Sequence, residues 1–372
     1  MTITGVELRL LELGLAQPFG AAHGEVSGQR PLVVVRVETT TGVGWGECEA
    51  LPAAGYTSEW AAGAFEVLRG RLAPSLLGAG STPEAVVAAL ASDVATHPMA
   101  VAALEQAVLD AQLRAVGRSL AAWLGVDADV PAVAAGAVVG LAPDADVLVA
   151  RVGVLVAAGY RRVKVKVQPG WDDVPLGAVR ATFPSLELQA DANGSYAGHD
   201  PEDLARFDRF GLTCLEQPLG PDDLAGSARL RRRLATPVAL DEGAASPALV
   251  ERVLAAGAAD VVVIKPARLG GLAATRLVHD RCVDAGVPML AGGLLEAGLG
   301  RRALVAVAAL PGFTVTGDCS PADRWLVGDP WPAMDLVDGR VPVHTGLGVA
   351  PAPDPDRLEQ ATVARAELRP SS

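Results

Sequence analysis

The spacing of apolar and polar residues divides the chain into segments of different periodicity. Residues 2–49 contain two runs in which apolar and polar positions alternate, VELRLLEL and LVVVRVETTTGVGWGE, and the alternation predicts strands with a turn at Thr-Thr-Gly. Between Thr57 and Leu124 the apolar positions recur at helical spacing. These patterns predict a small antiparallel sheet followed by several helices, which together form an α+β unit at the start of the chain.

After Val130, short apolar runs alternate with segments of helix length. The runs are AGAVVG (135–140), RVKVKV (162–167), LELQAD (186–191), LTCLEQ (212–217), VALDE (238–242), DVVVIK (260–265), PMLAGG (288–293) and FTVTGD (313–318). Successive strand–helix units of this kind are typical of a parallel α/β barrel, and a doubly wound open sheet is the alternative. The pattern favours a barrel, with domains at 1–127 and 128–325 and a segment at 326–372 that returns to the first domain.

The second run carries two lysines on one face. In RRVKVKVQPGW (161–171) valine and lysine alternate, so Lys164 and Lys166 share one side of a strand. On an exposed edge strand these lysines would need no partner, because solvated lysines there discourage aggregation. In a parallel barrel the valines would instead face the helices, and the lysines would point inward, where charges need partners.

Charged residues stand at the ends of five successive runs. The second to sixth runs end in Lys166, Asp191, Glu216, Asp241 and Lys265, and the three acids are equally spaced. Because the catalytic groups of a barrel lie at the carboxyl ends of its strands, we expect these side chains to meet at one mouth. Any one acid is equally well explained as the cap of the next helix, but three in succession would repel one another unless a cation binds them. Such oxygen ligands suit Mg²⁺ or another divalent cation such as Mn²⁺.

The lysines on either side of the acids predict proton transfer. Lys166 and Lys265 would face each other across the metal from the second and sixth strands. A lysine whose pKa is lowered by burial or by neighbouring cations is a competent general base, and its conjugate acid returns the proton. With a metal holding the substrate carboxylate and stabilising the ene-diolate, the set predicts proton abstraction next to a carboxylate.

Two other classes of protein are weaker interpretations of the same residues. A Schiff-base barrel enzyme would use Lys166 or Lys265 as a nucleophile, but this hypothesis leaves the three carboxylates unexplained. A non-catalytic scaffold does not require this set of charged residues at all. The metal-dependent enzyme therefore remains the leading hypothesis from the residues alone.

Composition excludes several further classes. The net charge of −12 comes from dispersed acids, which disfavours nucleic-acid binding. The start of the chain lacks a basic region followed by an apolar run, and no apolar stretch approaches the ~20 residues of a membrane span. The 4 cysteines show no CxxC spacing, so we expect reduced thiols in the core of a cytoplasmic protein.

Motifs along nearly the whole chain resemble those of one family. They are GWGECEA (44–50), MAVAALEQAVLDAQLRA (99–115), VKVKVQPGWD (163–172), LQADANGSY (188–196), CLEQPL (214–219), ALDE (239–242), IKPARLGG (264–271), AGGLLEAGLGR (291–301) and LPGFTVTGDCS (310–320). In this order they resemble the enolase superfamily, muconate-lactonizing subgroup, and within it the o-succinylbenzoate synthase and N-acylamino acid racemase family. The resemblance implies an α+β capping domain over a modified TIM (β/α) barrel, with a cap loop near Pro18 to Pro31 that closes the site.

The resemblance also implies a role for each site residue. Lys166 and Lys265 look like the acid/base pair, and Asp191, Glu216 and Asp241 look like the Mg²⁺ ligands. The supporting and substrate-binding residues are Lys164, Asn193, Arg268, Gly293 and Leu294, with Glu242 close to the ligands. Lys164 would support the site electrostatically, and Arg268 would tune the second lysine. The substrate implied is a small carboxylate, and the resemblance implies a homo-oligomer.

Two reactions of this family share the site. The first hypothesis is an o-succinylbenzoate synthase-like lyase, which dehydrates 2-succinyl-6-hydroxy-2,4-cyclohexadiene-1-carboxylate in menaquinone biosynthesis after Lys166 removes a proton. The alternative is a racemase of N-acylamino acids, particularly N-succinylamino acids, in which both lysines exchange protons. The two reactions use the same catalytic residues, so the motifs do not separate them.

The chain departs from the family pattern around the substrate. Val138 stands where members often carry serine, and Leu290-Ala291 stands where Trp-Cys is familiar. Gly20 and His23 occupy cap-loop positions where a larger cation and an aromatic residue are expected. These changes leave the proton-transfer residues intact and concern the choice of substrate.

Overall fold

Two sheets organise the chain. The computed structural model describes residues 2–21, 24–78 and 82–370. Its strands are β1 (Ile3–Leu15), β2 (Phe19–Ala21), β3 (Gly24–Val26), β4 (Gln29–Thr39), β5 (Gly42–Cys48), β6 (Ala132–Ala134), β7 (Gly136–Val139), β8 (Arg162–Lys166), β9 (Glu187–Asp191), β10 (Leu215–Glu216), β11 (Val238–Leu240), β12 (Val261–Ile264), β13 (Met289–Ala291), β14 (Leu326–Val327), β15 (Arg340–Pro342) and β16 (Thr362–Leu368).

The helices surround these sheets. They are α1 (Ala61–Val67), α2 (Ala73–Leu76), α3 (Pro83–Ala89), α4 (Ala91–Val94), α5 (Pro98–Ala115), α6 (Leu120–Leu124), α7 (Ala145–Ala157), α8 (Asp173–Thr182), α9 (Leu224–Arg233), α10 (Pro247–Ala256), α11 (Leu272–Asp284), α12 (Gly298–Ala308) and α13 (Pro355–Ala361). A π-helical turn covers Leu68–Leu72, and 3₁₀ segments cover Pro201–Phe210, Glu242–Ala244 and Ala322–Arg324. Within the described residues, no helix is long and apolar enough to cross a membrane.

The first sheet is antiparallel, as the alternating pattern at the start of the chain predicts. Its strand order is β14-β1-β4-β5, and β16 also pairs with β1, so the end of the chain supplies two of its strands. Helix α5 lies so close to β5 that only glycine fits beneath it. A Cβ on Gly44 would collide with the backbone oxygen of Ala107, and one on Gly46 with that of Ala103. The domain boundaries proposed from the sequence stay a prediction.

The second sheet is the barrel. Seven parallel strands pair in the order β7-β8-β9-β10-β11-β12-β13, each from one predicted run. Helices α7 to α12 alternate with them along the chain, except that the 3₁₀ segment Pro201–Phe210 stands between β9 and β10. The predicted α/β class, a modified barrel capped by an α+β unit, is therefore confirmed. All 4 cysteines are buried and none is in a disulfide, as expected from their spacing.

The eighth predicted strand differs from the prediction. Residues 313–318 form no regular strand, because their peptide groups bond to the two edges of the sheet separately and not along one ladder. Gly136 N, on β7, donates to Gly317 O at 3.0 Å, and Asp318 N donates to Ala291 O, on β13, at 2.7 Å. The segment thus joins both edges and closes the ring with irregular backbone.

Buried glutamates of the first unit cap two helices of the barrel. Glu105, on α5, accepts from Leu272 N and Ala273 N at 2.9 and 2.8 Å, where α11 begins. Glu47, on β5, accepts from Ala297 N and Gly300 N at 2.7 and 2.8 Å, where α12 begins. Burial raises the pKa of each of these glutamates to about 7, although the helix N–H groups oppose the shift. These contacts lock the two units together.

We expect the free energy of unfolding to increase as the pH falls from about 7 to about 5. The folded protein takes up protons on these glutamates before the unfolded chain does, because their folded-state pKa values are the higher ones. Glu105→Gln removes one of these protonation sites. The free energy of unfolding should then change with pH less steeply, by up to about 1.4 kcal/mol per pH unit. Urea unfolding followed by circular dichroism at several pH values measures the slopes. Glu12→Gln, at an exposed position, is the control, and equal slopes for Glu105→Gln and wild type would contradict the expectation.

Candidate active site

The two lysines of strand β8 point toward the inside of the barrel. Lys164 and Lys166 are 2% and 8% exposed, whereas Val163 and Val165 belong to the hydrophobic core on the opposite face. In the parallel register Lys166 stands beside Asp191 on β9, and Asp191 stands beside Glu216 on β10. The interpretation of β8 as an exposed edge strand is wrong, and its lysines have the partners that burial requires.

Lys164 is shared among three carboxylates. Its Nζ lies 3.0 Å from both carboxylate oxygens of Glu216, 2.9 Å from Asp318 Oδ2 and 3.4 Å from Asp191 Oδ2. Burial alone would lower the pKa of Lys164, but Asp318, Glu216 and Asp191 outweigh it and raise that pKa well above its usual value. Lys164 is therefore a permanent cation at the centre of the acids.

Lys166 has two oxygen acceptors of different kinds. Its Nζ lies 2.6 Å from Asp191 Oδ2 and donates to Asn193 Oδ1 at 2.8 Å. Asn193 has a positive φ of 45°, a conformation that asparagine tolerates better than most residues, and its Nδ2 donates to Glu242 Oε1 at 2.9 Å. The last residue of β9 and the turn that follows it thus place a carboxylate and an amide oxygen on the same ammonium group.

Lys265, which follows β12, has a matching pair of acceptors. Its Nζ donates to Asp241 Oδ2 at 2.7 Å and to the Tyr56 hydroxyl at 2.6 Å. Arg268 Nη1 lies 2.7 Å from Asp241 Oδ1, and Arg268 also contacts the Tyr56 hydroxyl. Although burial opposes ionisation of Asp241, Arg268 and Lys265 hold its pKa far below the usual range. Arg268 thus lies beside the second lysine's carboxylate partner, where it changes the field at that lysine.

The three predicted metal ligands stand at the carboxyl ends of the neighbouring strands β9, β10 and β11. Asp191, Glu216 and Asp241 are almost fully buried, and burial together with the charges of Asp191 and Asp241 raises the pKa of Glu216 to about 8. Within the described part of the chain, no group of three or more such side chains has the arrangement of a metal centre, and lysine and arginine cations neutralise the acids instead. The donors still fit a hard divalent cation, because they are buried carboxylates whose mutual repulsion a cation would relieve.

A cavity of about 310 Å³ opens above these groups. The predicted residues that line it are Lys164, Lys166, Asp191, Asn193, Lys265, Gly293 and Leu294. The first unit covers it with the β2–β3 hairpin and with residues 51–56, and Val138 and Trp325 form part of its wall. Gly20 accepts a hydrogen bond from Leu141 N at 3.2 Å and is outside the lining, while His23 lies outside the described residues.

Two residues of the site are not among those predicted from the sequence. Asp318 accepts from Lys164 and also from Arg162 Nη1, at 2.6 Å, and its position at the end of the eighth run was an available signal. Tyr56 comes from a loop of the first unit that has no periodic pattern, and no signal in the sequence pointed to it. Both residues contact a lysine of the site directly.

Comparison with known proteins agrees with the fold. A family model described as "Enolase C-terminal domain-like" matches residues 147–357, and one described as "Mandelate racemase / muconate lactonizing enzyme, N-terminal domain" matches residues 5–125. The N-succinylamino acid racemase of Amycolatopsis sp is 43% identical over 366 residues, which cover 98% of this chain and 99% of that protein. The o-succinylbenzoate synthase of Geobacillus stearothermophilus is 35% identical over 349 residues, which cover 93% and 90% of the two chains.

A solved structure is similar over the full length. The crystal structure of an enolase superfamily member from Listeria innocua Clip11262 has a TM-score of 0.92 and 32% sequence identity, and the match covers 99% of each chain. The capped barrel, with acids and lysines at its strand ends, defines an enzyme of the enolase superfamily. Within that superfamily the chain belongs to the mandelate racemase / muconate lactonizing enzyme family. The relatives compared above are proteins named o-succinylbenzoate synthase and N-succinylamino acid racemase. Enzymes of this superfamily are generally Mg²⁺-dependent.

We expect Lys164→Met to lower the free energy of unfolding by about 3–5 kcal/mol, because it leaves buried carboxylates without their cation. Urea unfolding in the presence of EDTA measures the loss without compensation by a bound metal. Lys166→Met is the matched control, since Lys166 is more exposed and its ion pair is to Asp191. The free energy of unfolding should therefore decrease less in Lys166→Met than in Lys164→Met. A loss for Lys164→Met no larger than for the control would show that Lys164 does not hold the acids together.

Proposed function

We propose that this enzyme uses Mg²⁺ to remove the proton next to a carboxylate, and that it racemises N-succinylamino acids. The observation that carries the proposal is the placement of Lys166 and Lys265. Lys166 ends β8 and Lys265 follows β12, the strands β9, β10 and β11 lie between these two in the sheet, and both lysines line one cavity. A substrate held between them presents one face to each lysine.

The chain's own residues supply the steps of the reaction. Asp191, Glu216 and Asp241 would hold the cation, and a bound Mg²⁺ would offset the charge of the substrate carboxylate and the charge that develops when the proton leaves. Lys166 takes the α-proton from one face, so that the C–H bond breaks, an N–H bond forms and the electron pair stays on the substrate. Lys265 then donates a proton to the opposite face of the same carbon.

The apolar part of the cavity wall supports the same chemistry. Phe19, Leu51, Leu294, Leu295 and Trp325 line the space beside the two lysines. Side chains of this kind exclude water, which would otherwise quench the carbanion and weaken the electrostatic interactions inside. Lys166 also lies 5.8 Å from the centre of the Phe19 ring, close enough for a cation–π contact.

We place racemisation ahead of the lyase reaction because the relatives named as racemases have the higher sequence identities to this chain. From the sequence alone, the o-succinylbenzoate synthase reaction is the first hypothesis. However, two proteins named N-succinylamino acid racemase are 43% and 39% identical to this chain, whereas the proteins named o-succinylbenzoate synthase reach 35% over similar lengths. The synthase reaction remains the second candidate, and it requires Lys166 as the base while hydroxide leaves the substrate.

Other expectations stay predictions. We propose a cytoplasmic location, because four buried thiols without a disulfide are typical of a reducing compartment. A homo-oligomer and a small-molecule carboxylate as the main partner are expected from the family resemblance. None of these expectations is needed for the chemistry proposed above.

We expect purified enzyme to racemise N-succinyl-L-phenylalanine, to lose this activity in EDTA and to regain it with Mg²⁺, because the carboxylates need a cation to hold the substrate. Lys166→Ala and Lys265→Ala should each lower kcat by about 10²–10⁴-fold. Polarimetry measures racemisation, and circular dichroism checks that the variants are folded.

A parallel assay on 2-succinyl-6-hydroxy-2,4-cyclohexadiene-1-carboxylate separates the two candidates. Turnover of that compound alone would move the assignment to the lyase. Inactivity on both substrates, or activity that EDTA leaves unchanged, would contradict the proposed function.

A further inference from the structure

The two proton-transfer lysines are held by equivalent sets of acceptors. Lys166 donates to a carboxylate, Asp191, at 2.6 Å and to a neutral oxygen, that of Asn193, at 2.8 Å. Lys265 donates to a carboxylate, Asp241, at 2.7 Å and to a neutral oxygen, that of Tyr56, at 2.6 Å. An ammonium group has three hydrogens, so in each case one hydrogen is left for the cavity that both lysines line.

The neutral acceptors come from different parts of the protein. Asn193 follows β9 of the barrel, next to the lysine it serves, and is fixed in turn by Glu242 at 2.9 Å. Tyr56 belongs to the first unit and lies in the 51–56 segment that covers the cavity. The same covering segment is followed by Glu59, whose carboxylate accepts from Met99 N and Ala100 N at 2.8 and 3.0 Å and so ties this part of the chain to α5.

The Tyr56 hydroxyl has a directional role that its ring does not have. The hydroxyl accepts from Lys265 and donates to Asp241 Oδ2 at 3.0 Å, so it bridges the ammonium and its carboxylate. The ring centre lies 4.5 Å from Lys265 Nζ and 5.6 Å from the Arg268 guanidinium, contacts that depend on the aromatic face alone. Removing the hydroxyl therefore removes the orienting hydrogen bonds and keeps the packing and the cation–π contacts.

We infer that Tyr56 is a positioning residue for Lys265 and that, through it, the first unit orients the base that serves one face of the substrate. The inference rests on the proposed function, in which the two lysines act on opposite faces. In this arrangement Tyr56 supplies the neutral acceptor that orients Lys265, just as Asn193 supplies the neutral acceptor that orients Lys166. As a base Lys265 is a neutral amine, whose two hydrogens the two acceptors hold so that its lone pair faces the cavity. Loss of the hydroxyl lets Lys265 turn that lone pair away from the α-proton, while Lys166 keeps both of its acceptors.

Racemisation rates alone do not test this inference. The two enantiomers have equal free energies, so any variant must change kcat/KM for racemisation equally in both directions. Exchange of the α-proton with solvent is different, because each enantiomer presents its proton to one lysine. The initial rate at which each enantiomer loses its α-proton in D₂O therefore reports on one lysine at a time.

The experiment uses the full-length enzyme with Mg²⁺ and N-succinyl-L- and N-succinyl-D-phenylalanine as probes, and ¹H NMR follows loss of the α-proton. Lys265→Ala first identifies the enantiomer whose proton Lys265 removes, because exchange from that enantiomer is lost. We expect Tyr56→Phe to slow exchange of the same enantiomer by roughly tenfold to a hundredfold, as for loss of a hydrogen bond to a charged group. Exchange of the other enantiomer should fall less than threefold.

A matched variant addresses the opposite face. Asn193→Gly keeps a residue that accepts positive φ but removes the amide acceptor, and it should slow exchange of the enantiomer that Lys265→Ala leaves active. The Mg²⁺ concentration for half-maximal exchange is measured for Tyr56→Phe as well. It should match wild type if the hydroxyl acts on Lys265, and it should rise if the hydroxyl acts by shaping Asp241.

The outcomes are distinguishable. Unequal slowing with an unchanged Mg²⁺ requirement supports the inference, whereas equal slowing of both enantiomers, or a raised Mg²⁺ requirement, overturns it and makes Tyr56 a structural residue. If wild-type enzyme exchanges neither enantiomer, the proposed function fails and the inference fails with it. Thermal unfolding of Tyr56→Phe confirms that the variant is folded in every case.

Discussion

The structure depends on one constraint, which is the burial of several carboxylates together with lysine ammonium groups at the carboxyl ends of the barrel strands. Asp191 and Glu216 are almost completely buried, and isolated charges in that position would cost several kcal/mol each. Lys164 reduces the cost because it is shared among the acids, and Lys166 and Lys265 complete the pairing. The same charges that need one another for stability are the ones that the proposed proton transfer uses, so the proposal couples stability and chemistry in this site.

The two units of the fold meet this constraint in different ways. The parallel register of the barrel brings lysine and carboxylates to the same level on neighbouring strands, and the segment that ends in Asp318 closes the ring beside Lys164. The first unit covers the mouth, which keeps water away from the charges and strengthens their interactions. It is held there by Glu47 and Glu105, which cap helices of the barrel. The cover also takes part in the site, because Tyr56 bonds directly to Lys265.

Much of this arrangement was predictable from periodicity, and the rest depends on long-range contacts. The repeat of strand and helix places each run's last residue at one mouth, which is why Lys166, Asp191 and Lys265 were found from their positions alone. Asp318 was harder to interpret, because its run bonds to two strands and forms no regular strand itself. Tyr56 is separated from Lys265 by 209 residues and lies in a loop, so no local pattern connects the two. Of the two departures at Gly20 and Val138, only Val138 lines the cavity, and the effect of either on substrate choice depends on contacts that periodicity does not encode.

In the proposed enzyme, Asp191, Glu216 and Asp241 form a cation site between two lysines. The most direct measurement is a crystal structure of the enzyme soaked with Mn²⁺, with anomalous diffraction to locate the metal. We expect one anomalous peak, with an oxygen from each of the three carboxylates about 2.0–2.6 Å away and with Lys166 and Lys265 on either side. Manganese bound elsewhere, or a site that remains filled by lysine ammonium groups at saturating metal, would contradict the proposed cation site.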